Sequence, residues 1–278
     1  MSAERGPHDT IRTIISQRGL RYAGDSPVEN VLLPASPEQA SRQEYLRYLK
    51  RYSFRILLRD VIKCRSSFRA QDLLHYCSPR KVQRYLDYLQ RAGIVEPVGT
   101  DTFRLRNAAV YSFGDTLEWY VAQVFAEAFA AAVAWDVKVY DLPAGGDFDV
   151  IAMLGDLLVY VETKSSPPKN IHQPAVAAFF ARLEALAPDV GIFLVDTHLR
   201  LADKINKMVR YELKQRVGDR DTVGLVQLRR GVYAASPGLF VINSKPDLTL
   251  NLRLCLRHFW AHRARRRLFG YDEHTARE

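Results

Sequence analysis

The chain has 278 residues, 47% of them hydrophobic and 26% charged, with a formal net charge of +9. This is the composition of a soluble globular protein, and no apolar run approaches the roughly 20 residues that cross a bilayer. The start, Met-Ser-Ala-Glu-Arg-Gly-Pro, leads into no apolar signal-peptide core, so a cytosolic (cytoplasmic) protein with no membrane partner is expected. The three cysteines, Cys64, Cys77 and Cys255, are too far apart for a disulfide framework or a zinc cluster and are expected as buried thiols. The excess charge sits in one place. Residues 40–107 hold 15 Lys/Arg against 6 Asp/Glu, residues 1–39 hold 4 against 5, and residues 108–278 hold 21 against 20. A basic segment beside a near-neutral one suggests a polyanion grip attached to something with another task.

Residues 1–39 offer one helix, Thr10–Gln17, and a Pro-containing connection, and read as an N-terminal arm with no legible role. A first domain is expected over residues 40–108. From Ser53 onward Phe54, Leu57, Leu58, Val61 and Ile62 form an apolar helical stripe, with Arg55, Arg59 and Lys63 outside it. A short helix is expected over Arg69–Tyr76. Ser78-Pro79 then supplies an N-cap and a first-turn proline for a helix that buries Val82, Leu86 and Leu89 and ends at Gly93. Two short strands around Gly99-Thr100-Asp101 complete the segment. Three helices followed by a β-hairpin resemble a winged helix-turn-helix domain over about residues 43–107. The resemblance makes Ser78–Ala92 the recognition helix, with Arg80, Lys81, Gln83, Arg84, Arg91 and Arg104 as candidate nucleic-acid contacts.

The second domain, expected over residues 109–247, opens with a helix from Asp115 to Ala132. Glu118 falls inside the apolar stripe of Leu117, Val121, Phe125, Ala128 and Phe129. A carboxylate there calls for a compensating cation, unless it sits at the stripe's edge and reaches water. Strands are expected over Trp135–Leu142, Asp147–Met153 and Leu157–Lys164, with a turn at Pro143–Gly146 and a tighter one at Leu154-Gly155-Asp156. Alternation puts Glu162 and Lys164 on one face, and likewise Asp147 and Asp149. A tight hairpin brings Asp149 near Glu162. Two acids and a lysine converging in this way suit phosphodiester hydrolysis: carboxylates bind Mg²⁺, which polarises phosphate and acidifies bound water, and the ammonium orients that water or offsets developing charge.

Asp149-Val150-Ile151-Ala152 and Val159-Tyr160-Val161-Glu162-Thr163-Lys164 resemble the strand–turn–strand core of the PD-(D/E)XK nuclease superfamily, in its Holliday-junction-resolvase-like and restriction-endonuclease-like members. The resemblance implies Asp149, Glu162 and Lys164 as catalytic residues and Glu118, Asp149 and Glu162 as ligands of Mg²⁺, for which Mn²⁺ can substitute. Asp147 and Gln173 are accessory candidates. Asp147 departs from the pattern, because many members carry Glu there.

Downstream, a helix opening at Pro174, the continuously apolar strand Val190–Val195, a helix over Leu201–Gln215 and a strand near Val223–Leu228 are expected. The fold class is therefore α/β, a restriction-endonuclease-like αβββαβ core with a mixed sheet, preceded by a small winged-helix α+β domain. Residues 248–278 form a basic C-terminal helix and tail, carrying Arg253, Arg257, Arg263, Arg265, Arg266 and Arg267. It reads as a second nucleic-acid contact or as a homodimer element. The expected activity is that of a metal-dependent endonuclease whose partner is nucleic acid, DNA foremost. The competing readings are an RNase or single-strand nuclease, and a non-catalytic DNA-binding regulator with an inactive nuclease fold.

Overall fold

The computed structural model describes residues 7–24, 27–140, 142, 145–218 and 224–270. In chain order its elements begin with α1 (Pro7–Gln17), β1 (Arg21–Gly24), α2 (Gln39–Leu49) and α3 (Tyr52–Lys63). There follow β2 (Phe68–Arg69), α4 (Pro79–Arg91), β3 (Val95–Pro97), β4 (Thr102–Leu105) and α5 (Gly114–Phe129). The remainder is β5 (Ala132–Tyr140), β6 (Asp147–Leu154), β7 (Leu157–Lys164), α6 (Gln173–Leu186), β8 (Val190–Val195), α7 (Ile205–Val217), β9 (Val226–Arg229), β10 (Val232–Ser236), β11 (Leu239–Asn243) and α8 (Leu248–Phe269). The protein is α/β. It separates into a larger unit, residues 1–25 with 124–278, and a smaller one, residues 26–123, the division falling inside α5. No described helix is long and apolar enough to cross a membrane.

The larger unit is built on an eight-stranded mixed sheet in the order β1-β5-β6-β7-β8-β11-β10-β9. Only β7–β8 and β8–β11 pair in parallel among the described strands. Those three strands hold the middle of the sheet and are apolar almost throughout, as strands buried on both faces must be. Ile11, Ile14 and Ile15 of α1 join Val176, Phe179 and Phe180 of α6 and Ile205 and Val209 of α7 in one buried cluster with Leu158, Tyr160, Phe193 and Val195 of the sheet. Gly191 lets α6 come close, because a Cβ there would lie 2.4 Å from the Leu183 side chain.

The expected α-β-β-β-α-β-α-β succession is present, with end shifts of a few residues; Val223, Pro143 and Ala144 lie outside the described residues. Four expectations are corrected. Residues 1–24 are part of the larger unit: α1 packs in its core, and β1 pairs antiparallel with β5 through Arg21↔Tyr140 and Tyr22↔Val139. The boundary lies near residue 124, beyond the expected 108, since Leu32 donates to Thr116 Oγ1 (3.0 Å) and ties the start of α5 to the smaller unit. The sheet does not end with the strand expected near Val223–Leu228: the hairpin β10–β11, turning at Pro237-Gly238, continues it. Finally, α8 packs on β10 and β11 and is integral to the larger unit.

The smaller unit carries α2, α3, α4, the first part of α5 and a three-stranded sheet in the order β2-β4-β3. Where a helix was expected over Arg69–Tyr76, the chain forms β2 and one 3-10 turn, Ala70–Leu73. The unforeseen α2 also explains why Arg55, expected outside the apolar stripe, is only 1% exposed. Its guanidinium donates to the carbonyls of Leu49 (2.5 Å) and Lys50 (3.3 Å), closing the open end of α2. Nearby in the chain, Tyr45, Tyr48, Phe54, Tyr85 and Tyr88 pack against one another, edge-on and stacked, as an aromatic core. Of the cysteines, Cys255 is buried as expected, whereas Cys64 and Cys77 are only partly so.

The seat of α6 depends on Phe179, fully buried between Tyr160 (ring centroids 5.7 Å) and Phe193 (5.3 Å). Phe179→Ala should cost about 3–5 kcal/mol of unfolding free energy, read from urea denaturation. A loss below about 1 kcal/mol would contradict this packing.

Candidate active site

β6 and β7 pair in register from Leu154↔Leu157 to Val150↔Val161, so the next opposed pair is Asp149 and Glu162. Gly155, with φ +64°, supplies the backbone conformation the two-residue turn needs. Beyond Val150 the strands cease to exchange ladder bonds, and the Asp149 carboxylate takes over as acceptor, receiving the Thr163 N–H at 2.6 Å. The neighbouring strand breaks stride at the same level. Asp136 of β5 has φ +45°, between the pairs Trp135↔Val150 and Val137↔Phe148. Ala134 and Val137 both enter the same core cluster, as do Phe148 and Ile151, although strict alternation would set each pair on opposite faces. The sheet thus changes face here, and Asp149 sits at the change.

Glu162 is 1% exposed. Burying a carboxylate is expensive unless donors surround it, and three do. Lys164 Nζ donates to Oε1 at 2.6 Å, Arg182 Nη1 to Oε2 at 2.8 Å, and the Tyr160 hydroxyl also donates to Oε2. Lys164 and Tyr160 are two residues either side on β7, so the strand period brings them to one face. Arg182 comes from α6, where it also reaches the Gly145 carbonyl (3.4 Å).

The charges lean on each other. Burial and the nearby Glu162 raise the Asp149 carboxyl to about 7, against the opposing pull of Lys164, the Thr163 N–H and Arg182. Burial by itself would lower the Lys164 ammonium, but Glu162 and Asp149 outweigh it and hold it above its ordinary value. The same contest raises Arg182, while burial and then Glu162 drive the Tyr160 hydroxyl well up.

Asp149, Glu162 and Lys164 therefore come together as expected. Asp147 does not join them: it is exposed, across from Lys138 in the β5 register, and no hydrogen bond ties it to the cluster among the described residues. Gln173 turns away to α7, donating to Glu212 and to the Met208 carbonyl (3.3 Å). Glu118 is half-buried on the part of α5 that belongs to the smaller unit. The residues that sequence reasoning passed over are Arg182 and Tyr160. A signal for Arg182 existed, since it lies about 40° beyond Leu186, at the rim of the apolar stripe of α6.

As the side chains stand, no described group of three or more His, Cys, Asp and Glu is placed to hold a metal ion. Asp149 and Glu162 are nevertheless the donor type a hard divalent cation takes, two carboxylates sufficing when water and phosphate complete its shell; its charge would relieve the repulsion that raises Asp149, once a Glu162 oxygen is released from its present donors.

In the smaller unit the candidate contacts divide by partner. Gln83 donates to Asp87 (2.7 Å), Arg91 lies 3.6 Å from Glu44, and Arg104 pairs with Glu96 at 2.5 Å across the β3–β4 hairpin. Among the described residues no ion pair engages Arg80, Lys81 or Arg84 on α4, and Arg80 and Arg84 are exposed. In the larger unit, Arg263 of α8 pairs with Asp156 (2.9 Å) at the turn end of the β6–β7 hairpin, away from Asp149 and Glu162.

No protein-family model matches the chain, and no curated protein does. Among solved structures, it is similar to the crystal structure of protein VC1899 from Vibrio cholerae, at 15% sequence identity and a TM-score of 0.51. The match covers 89% of this chain and 61% of that one, so the chain spans about three fifths of that protein's length. At this identity the likeness is one of fold.

The raised Asp149 carboxyl has a stability consequence. Unfolded, it ionises near 4; folded, it holds its proton to about 7. Without metal, ionisation therefore costs the folded state progressively more from pH 4 to 7, and the full penalty stands above 7. In EDTA, Asp149→Asn should raise Tm by several degrees at pH 8 and little at pH 4.5, since the amide oxygen can still accept from Thr163. A Tm difference independent of pH would refute the strained carboxylate.

Proposed function

We propose that the protein is a metal-dependent endonuclease of the PD-(D/E)XK type, acting on nucleic acid, with DNA as the foremost substrate. One observation carries the reading: the two acids of β6 and β7 meet in register, and the lysine two residues beyond Glu162 bonds to it at 2.6 Å. In this reading the larger unit is a restriction-endonuclease-like core, and the smaller unit is a winged helix whose α4 is the recognition helix.

Asp149 and Glu162 would hold the cation, Mg²⁺ or Mn²⁺, which would supply Lewis-acid polarisation of the phosphate and of the attacking water. The chain's own groups do the rest. Lys164 fixes the Glu162 carboxylate and keeps its proton, so that it presents a full positive charge to the phosphate oxygens as their charge grows. The Thr163 N–H orients Asp149. Tyr160, buried under Phe148 and Phe179, anchors Glu162 from below, so the carboxylate cannot rotate away from the lysine. Arg80 and Arg84, exposed, and Lys81, half-buried, form no ion pair among the described residues and hold the backbone of the substrate.

The chemistry is tested with Lys164→Ala and Asp149→Asn on plasmid, branched, single-stranded DNA and RNA substrates with Mg²⁺ or Mn²⁺. Both variants should lose cleavage by more than about a hundredfold while retaining nucleic-acid affinity. Cleavage by Lys164→Ala at the wild-type rate overturns the site assignment. Failure of the wild type to cut any substrate favours a DNA-binding regulator instead.

The grip is tested separately by salt. Each phosphate contact contributes about −0.9 to the slope of log K against log salt on duplex DNA. Replacing Arg80, Lys81 and Arg84 with Ala should flatten that slope by about two to three units, leaving cleavage at saturating substrate intact. An unchanged slope would move the grip elsewhere, with the arginines of α8 next in line.

A further inference from the structure

Glu162 has two oxygens, and both are spoken for: Oε1 by Lys164, Oε2 by Arg182 and the Tyr160 hydroxyl. A carboxylate in that condition has little left to offer a divalent cation, although the reading above needs it to coordinate one. Something has to let go.

The three donors are not equally free to do so. The Tyr160 ring is fully buried between Phe148 and Phe179 and cannot move without opening the core. Lys164 is on the same strand as Glu162, its backbone is held where β7 pairs with β8 through Lys164↔Val195, and it bonds to the other oxygen, Oε1, where the nuclease reading keeps it. Arg182 is different. It reaches Glu162 from a different element, α6, on a long side chain whose other partners are the Tyr160 hydroxyl beside Glu162 and, at 3.4 Å and close to solvent, the Gly145 carbonyl. A guanidinium is also more weakly hydrated than an ammonium, so it moves between a buried anion and another partner at lower cost.

Resting on the nuclease reading, we infer that Arg182 is the resident counter-cation of Glu162, displaced from Oε2 when a divalent metal ion binds. Arg182 is then a positioning residue acting through Glu162: in the metal-free protein it keeps a buried carboxylate compensated and the site closed, and its departure couples metal loading to a change on the α6 side of the site. A guanidinium and a metal ion on one carboxylate oxygen repel each other, so metal affinity measured without nucleic acid includes the work of displacing Arg182. A purely structural arginine predicts the opposite, because removing it would loosen Glu162 and weaken metal binding.

The experiment uses the full chain without nucleic acid, and Mn²⁺ as the probe, followed by calorimetry and electron paramagnetic resonance. Glu162→Gln first asks whether Mn²⁺ binds here at all; if it binds as tightly as wild type, the metal reading itself fails. If Glu162→Gln weakens binding, Arg182→Gln should tighten it by about tenfold or more, the scale of one removed charge a few ångströms away in a partly screened site. Arg210→Gln, an exposed arginine of α7, controls for net charge and should leave affinity unchanged. Equal or weaker Mn²⁺ binding by Arg182→Gln overturns the exchange while leaving the nuclease reading standing. A second measurement covers a variant that folds poorly. In the wild type, the Arg182 side-chain N–H resonance, assigned from its absence in Arg182→Lys, should shift on saturation with diamagnetic Mg²⁺. A resonance that does not move is equally fatal to the proposal.

Discussion

A carboxylate in the middle of a sheet, out of reach of water, has to be answered by donors, and much of the larger unit's layout follows from how Glu162 is answered. Its strand, β7, lies between an antiparallel neighbour and a parallel one, so no edge is available for solvent to enter. The strand's own period supplies Tyr160 below and Lys164 above. The remaining donor must come from the helix layer, which is why the height of α6 over the sheet matters. The bare Cα of Gly191 and the ring of Phe179 fix that height, and Arg182 arrives at Glu162 as a result. Asp149 completes the pattern by leaving the regular ladder and accepting from the β7 backbone, at the level where β5 also changes face.

Much of this was legible in the residues, in proportion to how local the cause is. The β6–β7 hairpin could be read because alternation, a glycine turn and the E-x-K spacing all act within twenty residues. β8 could be read because six consecutive apolar residues have few other fates. Arg182 was missed because its role is set by a contact twenty residues away, across the helix–sheet interface; only its place at the rim of the stripe hinted at it. β1 was missed because a four-residue edge strand carries almost no pattern, and its pairing with β5 spans the whole smaller unit. Arg55 was misplaced for a related reason. On its own helix it looks solvent-facing, and only α2, with weak periodicity of its own, turns that face inward. Glu118 and Gln173 were chosen by analogy of position, and the one is apportioned to the smaller unit while the other is bound to α7.

The basic segment likewise turned out less uniform than its charge count. Pairing with Glu44, Asp87 and Glu96 turns Arg91, Gln83 and Arg104 into parts of the fold. The first two turns of α4 are left with Arg80, Lys81 and Arg84 and no acid, so the excess is concentrated onto one helix end. A helix N-terminus carries partial positive charge of its own, and there the two effects add.

Residues 7–24, finally, join the sheet although the whole smaller unit separates them from β5 in sequence. β1 covers the outer edge of β5, and α1 covers part of the face beneath it. A strand edge left bare is a template for pairing with other chains, so this short segment doubles as a guard against self-association. It is also a guard put in place late. Its partner strand is synthesised only after the entire smaller unit, and closing so long a loop is slow. Until that closure the nascent chain carries an open sheet edge.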